Sequence, residues 1–80
     1  MQMKYLMYQV AGMDHPILFS AEISHVDMHK NMGPYGKLVS AGFVTAQNCA
    51  PRAYGSSTTL AVRSRTEDSA IVRRHLGWEE

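Results

Sequence analysis

Residues 37–47, Lys-Leu-Val-Ser-Ala-Gly-Phe-Val-Thr-Ala-Gln, carry the longest charge-free apolar run in the chain. Extended backbone points successive side chains to opposite faces. Leu38, Ser40, Gly42 and Val44 would therefore share one face, and Val39, Ala41, Phe43 and Thr45 the other. Both faces are apolar enough to need cover, which predicts the interior strand of a small sheet. The small residues Ser40, Ala41 and Gly42 at its middle predict that a helix or another backbone approaches closely there. The chain has 80 residues, enough for one domain near the small end of what folds alone. At about 0.05–0.15 kcal/mol of stability per residue, one poor core substitution is enough to unfold it.

The flanking segments supply partners for that strand. Residues 4–11 carry Tyr5, Leu6, Met7, Tyr8 and Val10, suited to a strand. Gly12, Asp14 and Pro16 give turn chemistry, and Ile17-Leu18-Phe19 reads as a short second strand, completing a hairpin. Ser24-His25-Val26-Asp27 fits a capping box, with Ile23 and Met28 at the hydrophobic-staple positions. The first helix is expected over 25–32, ended by Gly33-Pro34. After a loop at 48–51, residues 52–63 read as a fourth strand with a bulge or close contact at Gly55. Ser64 to Glu67 offers a second box, with Thr66 as a competing cap. The second helix would bury Ala70, Ile71, Val72 and Leu76 and leave Arg65, Arg73 and Arg74 in water. The pattern predicts a single α+β domain over residues 1–80 in ββαββα order, a four-stranded antiparallel sheet with two helices on one face. Ser24 and Ser64 lie forty residues apart in similar settings, through either an internal duplication or two generic caps.

Bulk properties exclude more than they assign. With 45% hydrophobic and 19% charged residues the chain is globular in type, and a formal charge of +1 gives no pull toward nucleic acid or membranes. No run approaches the roughly 18 apolar residues that cross a bilayer. Cys49 is the single cysteine, so no intrachain disulfide forms and a reducing cytoplasm is the expected setting. The apolar stretch after Lys4 is interrupted by Gln9 and does not read as an export signal; Met1 and Met3 are both possible starts.

Candidate chemistry is sparse. His25 and His29 have the i, i+4 spacing that lets two imidazoles share a metal, but two histidines do not complete a site; His25 is expected to be exposed and His29 partly buried. Cys49 has no acid–base partner at a telling spacing, and the carboxylates all fall in turns, caps or termini. No catalytic centre, metal or cofactor is expected. Ser56, Ser57 and Thr58 with Arg63, Arg65 and the start of the second helix form the one candidate ligand site, suited to a nucleotide-like phosphate and opposed by Glu67 and Asp68. The bland alternative is a solvated strand face. Arg63, Arg65, Arg73 and Arg74 are the one basic concentration, read either as a nucleic-acid surface or as a wet face ion-paired to Glu67 and Asp68. Val26, Met28 and Met32 give the first helix more apolar surface than a short helix usually hides. With Phe43 and Trp78 they form a candidate interface for a second copy, since a chain this short commonly completes its core by self-association.

Leu18-Phe19 with Ser24-His25-x-Asp27, then Val39-Ser40-Ala41-Gly42-Phe43-Val44, then Tyr54-Gly55-x-Ser57 with Leu60, and Ser64-Arg65-x-Glu67-Asp68 resemble small uncharacterised proteins encoded by bacteriophages and prophages. Thr66 stands where that pattern would carry proline. The resemblance implies an accessory protein of the bacterial cytoplasm that binds a host protein or sequesters a small molecule, and it transfers no site residue. The expectation is therefore a non-enzymatic, homo-oligomeric binding protein with no membrane partner, and the alternative is a small nucleic-acid-binding module around the second helix.

Overall fold

The computed structural model describes residues 2–45 and 50–78. Gln47 and Cys49 lie outside the described residues. The chain runs β1 (Gln2–Val10), β2 (Met13–Ser20), α1 (His25–Met32), β3 (Lys37–Thr45), β4 (Arg52–Tyr54), β5 (Ser56–Ser57), β6 (Val62–Arg63) and α2 (Asp68–His75). A four-stranded antiparallel sheet has the order β2-β1-β3-β4, and β5 and β6 form a separate hairpin. The long apolar run is thus an interior strand, paired to β1 on one side and β4 on the other.

The centre of the sheet is shared with β1, where Tyr5, Leu6, Met7 and Tyr8 are all wholly buried. Four consecutive buried residues require cover on both faces, and the two helices supply it from opposite sides. Leu6, Tyr8, Phe19 and Ala41 pack with Met28 and Met32 of α1 and with Leu60 and Val62. Tyr5, Met7 and Val44 pack with Val72 and Ile71 of α2. The expectation of both helices on one face is corrected here, because strand alternation divides one continuous apolar run between two surfaces.

The first hairpin is tighter than the turn residues suggest. Ala11 (φ 52°) and Gly12 (φ 79°) form a two-residue loop with the positive dihedrals of a type I′ turn, so β2 begins at Met13 and includes Pro16. In such a hairpin Val10 and Met13 are a hydrogen-bonded pair, and alternation makes Met7 opposite Pro16 a non-bonded one. Proline then removes no bond inside the sheet; it deletes a donor from the free edge of β2, a device that discourages strand addition. Pro16→Val restores that donor and should raise the mass of the protein in sedimentation at fixed concentration. An unchanged mass would argue against a guarding role for Pro16.

The opposite edge is closed differently. The Ala53 N–H of β4 donates to Ser69 Oγ at 2.9 Å, and the same hydroxyl donates to the Ala53 carbonyl at 3.4 Å. Arg73 Nε donates to the Pro51 carbonyl at 2.8 Å. Helix α2 therefore seals the β4 edge with side chains.

The single fourth strand expected over 52–63 is corrected to β4 and a small hairpin. The chain turns at Gly55, and Ala61 (φ 57°) closes the loop between β5 and β6. This departure explains the small residues of β3. A Cβ on Gly42 would collide with the Tyr54 carbonyl and lie 3.3 Å from the Gly55 carbonyl carbon, so β4 leaves the sheet directly against Gly42.

Candidate functional site

Helix α1 starts as its sequence predicts, with the Asp27 amide donating to Ser24 Oγ at 3.1 Å. Its histidines turn inward. His25 is buried, lies edge-on to Phe19 and Phe43, and bonds to the Gly42 carbonyl at 2.8 Å. A carbonyl only accepts, so Nε2 carries the proton. The expectation of an exposed His25 is corrected: Phe19 and Phe43 make an aromatic slot, and the Gly42 carbonyl satisfies the ring. His29 is half-buried, stacks on Tyr8 and shares a 2.6 Å hydrogen bond between Nδ1 and the Tyr8 hydroxyl. Among the described residues no three His, Cys, Asp or Glu side chains are grouped to hold a metal ion.

The start of α2 departs from the Ser64 box. The Arg65 amide donates to Asp68 Oδ2 at 3.0 Å, and the Asp68 amide donates to the Arg65 carbonyl at 3.1 Å, so Asp68 takes the role assigned to Glu67. Asp68 is wholly buried and also accepts from the Tyr5 hydroxyl at 2.6 Å and from Arg65 Nε at 3.0 Å. Arg65 Nη2 lies 2.9 Å from Asp68 Oδ1 and 3.1 Å from Asp14 Oδ2. Arg65, expected to be wet, instead ties α2 to β2, with its side chain 25% exposed. The i, i+3 spacing of Arg65 and Asp68 was visible in the sequence, whereas their links to Asp14 and Tyr5, 51 and 63 residues away, were not.

Burial, followed by the hydrogen bond to Asp68 and its negative charge, pushes the Tyr5 hydroxyl far above the ordinary tyrosine range. Burial raises Tyr8 as well. A group whose folded pKa is raised contributes stability that is complete below its unfolded value and lost as pH rises past it. The melting temperature should therefore fall once pH climbs above about 10, the unperturbed tyrosine value. Tyr5→Phe should flatten part of that alkaline limb; an identical limb would show that Tyr5 does not contribute to it.

The candidate ligand residues come together in part. Ser56 stands opposite Arg63 across the β5–β6 pair, and both line a cavity of about 220 Å³ with Ser57, Thr58, Ala61 and Val62. Ser57 is buried, and its Oγ accepts from the Leu60 amide at 3.4 Å. Ser56, Thr58 and Arg63 remain exposed. Arg65 is not with them; it lines a separate cavity of about 330 Å³ with Arg52, Ser64 and Thr66. The four arginines have different surroundings, for Arg73 reaches Pro51 and Arg74 lines a third space.

That third space, a cleft of about 440 Å³ between β2 and α2, exceeds the other two and is lined by Met13, Asp14, His15, Pro16, Ile71, Arg74 and His75. Sequence reasoning missed it because it forms between segments distant in the chain. Of the candidate interface residues, Met28 and Met32 pack on the sheet, Val26 is half-buried, and Phe43 lies between His25 and Tyr54. Trp78 alone of that set is exposed, at 44%. Leu76, expected to be buried, is 50% exposed and Ala70 is exposed, because the inward side of α2 is taken by Asp68 and Val72. Met13, Ile23, Tyr35 and Tyr54 are the other large exposed apolar side chains. No family model, curated protein or solved structure matches this chain. Among the described residues no helix is long and apolar enough to cross a membrane.

Proposed function

We propose that this chain is a non-enzymatic binding protein that works as a homo-oligomer and blocks or sequesters a host component in the bacterial cytoplasm, as the bacteriophage resemblance implies. The observation that carries it is a contrast between two sets of side chains. Three of the groups suited to acid–base or metal chemistry serve the fold, since His25 holds Gly42, His29 holds Tyr8, and Asp68 gathers Tyr5 and Arg65, while His15 and His75 line the cleft between β2 and α2 with Asp14. Large apolar groups meanwhile face water, Met13, Leu76 and Trp78 above all. Contiguous exposed apolar surface marks an interaction site, and Leu76 and Trp78 stand two residues apart at the end of α2.

Native mass measurement tests the assembly, with a multiple of the 8.9 kDa chain expected. A monomer at all micromolar concentrations would remove self-association from the proposal. Sequestration of a phosphate-bearing ligand at Ser56, Thr58 and Arg63 is tested by thermal shift. Nucleotides should raise the melting temperature, and Arg63→Ala should abolish the rise; no shift with any nucleotide removes this arm. Nucleic-acid binding has less support, since its four arginines occupy separate surroundings.

A further inference from the structure

The cleft between β2 and α2 has walls of opposite charge. Asp14 and Pro16 stand opposite Gln9 and Met7, and Met7 packs with Val72 of α2, so strand alternation turns both side chains toward that helix. Met13 and His15 alternate to the other face and border the cleft along the strand edge. On the facing wall Ile71, Arg74 and His75 share one side of α2, at the i, i+3 and i+4 spacing of helical neighbours. Pro16 is buried and Ile71 half-buried, whereas Arg74 and His75 are exposed, so an apolar interior lies beneath a basic rim.

The charges on these walls do not satisfy each other. Among the described residues the Arg74 guanidinium makes no hydrogen bond or ion pair, with Asp14 or with any other carboxylate. Asp14 accepts from Arg65 Nη2 at 3.1 Å and from Gln9 Nε2 at 3.4 Å, and its side chain is still 22% exposed. A carboxylate offers about four acceptor positions. Asp14 therefore keeps capacity for one more donor, while Arg74 lacks an anion.

We propose that this cleft binds a free amino acid with an apolar side chain, whose ammonium group meets Asp14, whose carboxylate meets Arg74 and whose side chain lies on Pro16 and Ile71. The proposal rests on the sequestration reading above and gives it a ligand class and a site distinct from Arg63. A guanidinium takes a carboxylate through two parallel N–H donors, which fixes the ligand's orientation as well as its charge. The volume of about 440 Å³ falls in the range of roughly 300–1,000 Å³ that holds compact organic molecules. A simple anion fits less well, because Asp14, Glu67 and Asp68 gather around Arg65 and outnumber it. A simple cation would meet Arg74. A zwitterion matches both walls.

Titration of the isotope-labelled chain with L-leucine, followed by NMR, tests this. Millimolar L-leucine should move the amide signals of Asp14, His15, Ile71 and Arg74 saturably. N-acetyl-L-leucine and L-leucinamide each lack one of the two charges and should bind weaker by roughly tenfold or more. Arg74→Gln should abolish the saturable shifts with circular dichroism unchanged, since Arg74 is exposed. Arg63→Ala should leave the titration as it was. Equal binding of N-acetyl-L-leucine, or L-leucine binding untouched by Arg74→Gln, overturns the zwitterion site. If L-leucine moves nothing while nucleotides still raise the melting temperature through Arg63, this site falls and sequestration stands; no response to either removes both.

Discussion

Asp68→Ala should remove a large share of the stability of this domain. The carboxylate is wholly buried and accepts from the Tyr5 hydroxyl, the Arg65 amide and the Arg65 guanidinium at 2.6–3.0 Å. Its loss leaves a buried phenol without an acceptor and a guanidinium with the half-exposed Glu67, 3.7 Å away, and Asp14. Removing one partner of a buried ion pair costs roughly 3–5 kcal/mol, against roughly 4–12 kcal/mol for a domain of this size. Urea denaturation monitored by circular dichroism measures the difference. Asp14→Ala is the control, because Asp14 is 22% exposed and water can replace it at Arg65; its cost should be about 1 kcal/mol or less, as for surface pairs. Equal losses for the two variants would mean that burial at Asp68 is not what stabilises the network.

The second large effect is expected at Gly42. Alanine there adds one methyl group pointed at the Tyr54 carbonyl and 3.3 Å from the Gly55 carbonyl carbon, where the neighbour is backbone and has no rotamer to change. Overpacking a rigid site typically costs about 1–3 kcal/mol, and the upper end is expected because relief requires β4 to move off Phe43, Val44 and Thr45. The displacement should also disturb the His25 bond to the Gly42 carbonyl, so the His25 ring protons should shift in the NMR spectrum. Gly42→Ala with wild-type stability and unchanged His25 signals would disprove the close approach. Gly12→Ala provides contrast, since nothing lies within 4 Å of its added Cβ and only backbone strain at φ 79° opposes it.

The sequence disclosed the parts of this fold that are local. Ser24 and Gly33 bound α1 at the residues their chemistry indicates, and the uncharged run of β3 needed cover on both faces. Gly42 between Ala41 and Phe43 announced a close neighbour without saying that it would be the departing end of β4. The distribution of helices between the faces was not legible, because it depends on the side to which each connection returns, and neither 33–36 nor 64–67 encodes that. Pro16 read as turn chemistry because its missing donor matters only once the register of β2 against β1 is known. Arg65 and Asp68 read as a surface pair for the same reason: their third and fourth partners come from the first hairpin. The Met13–His75 cleft had no local signal at all.

The clasp between Tyr5 and Asp68 joins residues 63 positions apart, which bears on how the molecule assembles in time. Closing so long a loop must follow pairing of the first hairpin, whose strands meet through two intervening residues. The rate of acquiring native structure should therefore be set by arrival of the final helix, with the underside of the first strand open to solvent until then. A ribosome-tethered chain halted before residue 68 would present Tyr5 and Met7 to chaperones.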